Sequence, residues 1–187
     1  MYDTSMQIET ARLILRQPRL SDLDPWAEFM ADEEAARHIG GVLPRSMVWR
    51  RLMTVAGAWA ILDYSMFSVF EKRTGLWVGQ LGPWMPEGWP GTEVGWGLRR
   101  EFWGRGYATE GAIAAIDWAF ARLEWTEVIH SITPDNVMSQ AVAQRLGSTN
   151  RGAGRLPAPL EQTSIDIWGQ TREQWQAQRA RLPLPLA

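Results

Sequence analysis

The stretch Trp103-Gly104-Arg105-Gly106-Tyr107-Ala108-Thr109-Glu110-Gly111 is the part of this chain whose residue types and spacing best suit chemistry. Glu93–Leu98 before it reads as a strand, and the apolar run from Ala112 to Ala121 reads as a helix. The glycines therefore sit where a strand turns into a helix N-terminus. Such a turn leaves backbone N–H groups unpaired, and the helix dipole adds partial positive charge. Two close glycines let the backbone approach a bulky anion. The expected use is a diphosphate cradle. No Gly-Lys-Ser/Thr ends the stretch, so it is not a P-loop. Thr109 stands where the dinucleotide pattern G-x-G-x-x-G needs its last glycine.

A second strand-to-helix unit follows. Residues 128–133 read as a strand, which Pro134-Asp135-Asn136 breaks. Asn136 or Ser139 can cap the next helix, and Leu146-Gly147 reads as its glycine-capped end. Together these segments resemble the GCN5-related N-acetyltransferases. Their acetyl-CoA loop, R/Q-x-x-G-x-G/A, aligns with Trp103 first, Gly106 fourth and Ala108 sixth. Trp103 departs from the usual Gln or Arg. That departure, the wording W-G-R-G-Y-A-T-E and the opening E-T-A-R-L-I-L-R at Glu9–Arg16 are most similar to the ribosomal-protein N-terminal acetyltransferase branch. The resemblance runs from Glu9 to about Trp175, and Glu93–Gly147 is its specific part.

The resemblance implies a single α/β domain over residues 1–187, with its core at about 9–175. The sheet would be mixed and twisted, with two central parallel strands, Glu93–Leu98 and 128–133, splayed apart and helices flanking them. Gly95 and Gly97 could supply the bulge and close approach that a splay needs. It also implies acetyl-CoA as acyl donor and a primary amine, from a protein N-terminus or a small molecule, as acceptor. The cofactor would be held by Gly104, Arg105, Gly106, Tyr107, Ala108 and Thr109, mostly through backbone. Arg105 would add charge near the phosphates or simply face solvent. Leu98 and Arg100 would pair their backbone with the pantetheine arm. Asn136 would hydrogen-bond that arm from the other side or serve only as a helix cap.

Acetyl transfer to an amine needs an oriented thioester, an amine that loses its proton, donors for the tetrahedral oxyanion and a proton for the leaving thiolate. Glu93 is the favoured base, directly or through a water, with Glu87 as rival and an exposed edge carboxylate as the plain alternative. Ser139 stands where relatives place a hydroxyl near the thioester sulfur, and Gln140–Arg145 holds no Tyr to take that role. Ser139 can also be read as a helix cap. His130, in mid-strand, reads as packed rather than catalytic. With no Cys to carry the acyl group, direct transfer in a ternary complex is expected, while an acyl-Ser route stays open. A non-catalytic acetyl-CoA sensor on the same fold is the alternative function.

Composition narrows the field. The 187 residues carry a net charge of −2, which argues against wholesale binding to nucleic acid or anionic membrane. The absence of Cys and the presence of only two His speak against disulfides and metal sites, so no metal is expected. No apolar run is long enough to span a membrane and no signal peptide is evident, so a cytoplasmic place is expected, with a homodimer left open. The 12 Trp are read mainly as packing, with some lining an acceptor cleft where indole faces favour cations.

The remaining elements are expected as follows. A strand covers 10–16. A helix capped by Ser21-Asp22 runs to about Asp32, and a long helix starts at Pro44 and ends near Leu62. A hairpin of 66–71 and 76–81 turns at 72–75. The Pro-, Gly- and Trp-rich stretch 82–91 reads as a functional loop or an elaborated hairpin tip. Residues 147–159 read as irregular, 164–168 as a last strand and 171–181 as a helix, with a loose Pro-rich tail over 182–187.

Overall fold

The computed structural model describes residues 6–182, so most of the expected tail lies outside the described residues. One eight-stranded sheet organises them: β1 (Gln7–Glu9), β2 (Leu13–Arg16), β3 (Phe67–Glu71), β4 (Trp77–Trp84), β5 (Glu93–Leu98), β6 (Glu127–Ile132), β7 (Thr149–Gly154) and β8 (Ile165–Thr171). The spatial order is β1-β2-β3-β4-β5-β6-β8-β7. Neighbours are antiparallel throughout except for β5 and β6, which run parallel. The expected mixed α/β sheet is therefore present.

Six helices accompany it: α1 (Leu23–Ala31), α2 (Glu33–Ala36), α3 (Arg45–Leu62), α4 (Tyr107–Arg122), α5 (Val137–Arg145) and α6 (Arg172–Arg179). Helix α4 is the crossover that a parallel β5–β6 pair requires. It lies against β4 and β5, where Gly111 admits Leu81 so closely that a Cβ there would stand 2.9 Å from its side chain. Trp26 and Phe29 of α1 pack on Trp77 of β4, with ring centroids 6.1 and 5.7 Å away. Trp59 of α3 and Trp118 of α4 meet Phe67 of β3. Most tryptophans thus do the packing expected of them.

Several segments differ from the sequence reading; the strand expected over 10–16 is reduced to β2, Leu13–Arg16, which turns back on β1, Gln7–Glu9. Strand β4 runs to Trp84, through Gly82-Pro83, where a loop is expected. Arg99 donates to the Val78 carbonyl, and alternation from that pair turns the Pro83 nitrogen away from β5. On its other side β3 has already ended, opposite Leu81. The missing N–H of Pro83 therefore interrupts no ladder. Residues 149–154 form an exposed edge strand, β7, whose sequence Thr-Asn-Arg-Gly-Ala-Gly lacks alternation because neither face is buried. Strand β8 continues past Trp168 to Thr171, whose hydroxyl caps α6 in a capping box with Gln174. Asp22 precedes α1 but makes no side-chain cap for it.

Asp22 does something else. Its buried carboxylate takes a two-pronged pair from Arg16 (2.9 and 2.6 Å), the Arg19 N–H (2.9 Å) and the Ser68 hydroxyl (2.7 Å). One side chain thereby ties β2, β3 and the entry to α1. Removing one partner of such a pair strands the other charge in a poor solvent. Asp22→Ala should lower the unfolding free energy by about 3–5 kcal/mol, read by urea denaturation. A loss below about 1 kcal/mol, the range of exposed pairs, would contradict this role.

Candidate active site

The parallel pair β5–β6 meets at one register point, Glu93 opposite Ile129, beside an Ile129 N–H to Thr92 carbonyl bond of 3.0 Å. Beyond it the strands part. His130 explains why. Its ring Nδ1 bonds the Val94 carbonyl at 2.7 Å, so a side chain occupies the β5 acceptor that a β6 amide would otherwise use. A carbonyl only accepts, so Nδ1 carries the proton, and Nε2 accepts from the Ser148 hydroxyl at 3.0 Å. Burial pulls this imidazole down to about pKa 4, which keeps it neutral and wedged in place. Trp96 lies against its ring at 4.8 Å between centroids.

Two clefts open on the gap. The first, about 950 Å³, runs from the glycine turn past Leu98 to α5. The second, about 500 Å³, is lined by Glu93, Ser131, Arg51 and the indoles of Trp84, Trp89 and Trp96. They share Trp96, Gly97, Asn136 and Ser139, with the turn at 37–39 as a further common wall, so the clefts join where β5 and β6 separate.

At the glycine turn, Gly104 and Gly106 have φ of 71° and 79°, a region that L side chains rarely adopt. No side chain caps α4, and its first backbone bond runs from the Glu110 N–H to the Gly106 carbonyl. The N–H groups of Tyr107, Ala108 and Thr109 are left for a ligand or water. A Cβ on Gly104 would meet nothing within 4 Å, so its left-handed backbone, not crowding, calls for glycine. The turn is clamped from behind. Thr10 donates to Glu110 (2.6 Å), the Arg12 guanidinium pairs with Glu110 (2.6 Å), and it also bonds the Arg105 carbonyl (2.9 Å). Sequence reasoning missed this clamp. Its signal was a Thr-x-Arg in the first strand region and a Glu in the first turn of α4.

Other residues singled out in the sequence take varied places. The Trp103 indole donates to the Leu98 carbonyl at 2.8 Å, which gives the unusual motif Trp a use: it ties the turn back to β5. Alternation from the Arg99–Val78 bond directs the N–H groups of Trp96 and Leu98 toward the gap. The Tyr107 side chain is buried and donates to Glu71 at 2.5 Å, so only its backbone faces the turn. Arg105 stacks over Phe102 at 5.5 Å. The Arg100 side chain pairs with Asp32 (3.1 Å) and with Glu34 (3.0 Å) at the wall of the first cleft, and itself lines neither cleft. Asn136 caps α5 by accepting from the Ser139 N–H at 3.1 Å, which leaves its NH2 uncommitted by that bond. Ser139 is therefore not the cap. Its Oγ accepts from the Trp96 indole at 3.2 Å, so its own O–H can point elsewhere.

Glu93 is buried rather than an exposed edge carboxylate. Its Oε2 accepts from the Trp89 indole and the Ser131 hydroxyl, both at 2.6 Å, while Oε1 lies over Gly95. Burial raises its pKa from 4.5 to about 7, against the pull of those two donors and of a hydrogen bond from the Ser131 backbone. Trp89 comes from residues 85–92, the tip of the β4–β5 hairpin. The Trp-rich stretch is thus both a hairpin tip and the wall of the second cleft.

A split parallel pair, an uncapped glycine turn at one end and a buried carboxylate at the other define an acyltransferase architecture. The model of the acetyltransferase (GNAT) domain matches residues 12–149, and the chain belongs to that family. An acetyltransferase from Agrobacterium tumefaciens superposes with a TM-score of 0.78 at 27% identity, over 92% of this chain and 98% of that one. A GNAT-family acetyltransferase from Bacillus anthracis gives 0.76 at 22%, over 90% and 99%. A ribosomal alpha-N-protein acetyltransferase in complex with coenzyme A shares the fold at 0.73 and 17%, over 89% and 98%. The sequence matches none of the curated proteins. Among the described residues, no helix is long and apolar enough to cross a membrane, and no cluster of three or more His, Asp or Glu could hold a metal.

The raised pKa of Glu93 has a thermodynamic consequence. Between pH 4.5 and 7 the unfolded carboxyl has ionised while the folded one keeps its proton. The folded state then binds more protons, so stability falls as pH rises through that window. The drop amounts to roughly 3 kcal/mol. His130 acts oppositely below pH 6.5, but it is common to wild type and variant. Urea denaturation of wild type and Glu93→Gln should therefore give curves that diverge from pH 4.5 to 7, with the wild type losing ground. Parallel curves would contradict the burial of an ionisable carboxyl.

Proposed function

We propose that this chain transfers an acetyl group from acetyl-CoA to a primary amine by direct attack in a ternary complex, as a single cytoplasmic N-acetyltransferase domain. The observation that carries this reading is the junction of two clefts at the β5–β6 gap, with a carboxylate of pKa about 7 lining one and a hydroxyl shared by both.

The chain's own groups suit each requirement. The free N–H groups of residues 107–109 receive the pyrophosphate at the α4 N-terminus. The N–H groups of Trp96 and Leu98 and the NH2 of Asn136 flank the pantetheine arm. The thioester then lies beside Ser139. The acceptor enters through the second cleft, between indoles that favour a cation. Glu93 takes a proton from the ammonium through Oε1, directly or through one water, because Oε2 is already held by Trp89 and Ser131. The amine attacks the thioester carbonyl, an N–H facing the gap holds the oxyanion, and the tetrahedral intermediate expels coenzyme A thiolate. The nitrogen gives up its second proton as the amide forms, and the Ser139 hydroxyl hydrogen-bonds the thiolate and relays that proton to it, ending neutral. The pKa of this base lies near neutrality, the range in which a general base is effective at neutral pH.

Glu93→Gln preserves both hydrogen-bonded neighbours in shape but cannot accept a proton. We expect kcat to fall by roughly ten- to a thousand-fold, with coenzyme A affinity unchanged and partial recovery at high pH, where amine is already free. Acetyl transfer to an amine panel, followed by mass spectrometry across pH 6–10, reads this. Wild-type kcat and an unaltered pH profile in the variant would remove Glu93 as base. No transfer to any amine by the wild type would leave only an acetyl-CoA-binding module.

A further inference from the structure

Arg51, on α3, lines the second cleft together with Glu93. Its guanidinium makes one hydrogen bond to protein oxygen, from Nη1 to the Ile39 carbonyl at 3.1 Å, and a weak contact with the Met30 sulfur at 3.7 Å. Among the described residues it has no carboxylate partner, whereas its neighbour Arg37 pairs with Asp135 at 3.0 Å. Only burial acts on its pKa, and it lowers it. Arg51 is half-buried, and a cation partly withdrawn from water without a counter-charge carries a cost that one carbonyl only partly offsets. A fixed guanidinium fork also matches the two oxygens of a carboxylate or phosphate.

We propose that Arg51 receives an anionic group of the acceptor, so that the acceptor is a small amine carrying a carboxylate or a phosphate. This rests on the acetyl-transfer reading of the same site. The cleft is lined by groups suited to both functions of such a molecule. Its indoles and Glu93 receive the ammonium, and Arg51 receives the oxyacid. Its volume of about 500 Å³ fits a small molecule. Arg51 does not line the cofactor cleft, so its effect falls on the acceptor alone. A purely structural Arg51, stapling the 39–40 turn to α3, would affect anionic and neutral acceptors alike.

The test pairs each anionic amine with its neutral counterpart: α-amino acids with their amides, and aminoalkyl phosphates with the corresponding amino alcohols. The first pair reports a carboxylate and the second a phosphate. In the wild type, kcat/KM should favour the anionic member of at least one pair by about 10- to 100-fold, the span of a charged hydrogen bond. Arg51→Gln keeps a donor for the Ile39 carbonyl but drops the charge. It should erase the preference through KM and leave coenzyme A affinity unchanged, while Arg51→Lys should retain part of it. Calorimetric binding of the N-acetylated members of the same pairs reads recognition without turnover. Arg51-dependent binding of the anionic products with no acetylation of any amine would keep Arg51 as the receptor of an anionic group and sink both acetyl transfer and the acceptor reading built on it. Transfer at equal rates to both members, or a preference that survives in Arg51→Gln, would overturn the role of Arg51 and leave acetyl transfer standing.

Discussion

One hydrogen bond governs the shape of this molecule's working centre: the His130 imidazole takes the Val94 carbonyl that a neighbouring strand would otherwise pair with. A sheet that is continuous on both sides is thereby opened in its middle. The opened edge exposes backbone donors of β5, and two clefts meet there. The wedge must stay neutral and aligned. Burial, the Ser148 hydroxyl and the face of Trp96 provide for both. A protonated ring could still donate to Val94, but Nε2 would lose its acceptor function toward Ser148.

The same strand then serves both partners of a reaction. Alternation along β5 sends the amides of Trp96 and Leu98 into the gap, while Glu93, Gly95 and Gly97 present another face. The glycines there give room: a Cβ on Gly95 would stand 2.9 Å from Met66 and 3.2 Å from the Glu93 carboxylate. Glu93 remains usable because Oε1 accepts neither of the side-chain bonds from Trp89 and Ser131. The cost of burying it appears as a raised pKa, the property a base near neutral pH requires. Around this centre the Arg12–Glu110 clamp fixes the glycine turn, and Asp22 fixes the sheet edge that bears the clamp.

Much of this was legible in the sequence, because strong local chemistry announces itself. The glycine turn and the Asn136-x-x-Ser139 segment follow from residues close together in the chain, whereas the splayed strand pair is implied only by the family resemblance. The family resemblance added the cofactor's identity to them. What stayed hidden depends on distant neighbours. Nothing near Glu93 in sequence shows that Ser131, 38 positions away, holds its carboxyl together with Trp89. Tyr107 reads as a cradle residue until Glu71, 36 positions away, takes its hydroxyl. Gly82-Pro83 looks like a break, and is tolerated only because β3 stops where it begins. Edge strand β7 buries nothing, so its sequence carries no period.

The most direct measurement is a crystal structure with bound acetyl-CoA. If the gap opened by His130 is the place of transfer, the pyrophosphate will lie against the amides of residues 107–109. The pantetheine arm will run between β5 and β6, and the thioester sulfur will lie within hydrogen-bond reach of the Ser139 hydroxyl, facing the cleft that holds Glu93. An acetyl-CoA bound outside the gap, or with its thioester remote from both Ser139 and the second cleft, would contradict it.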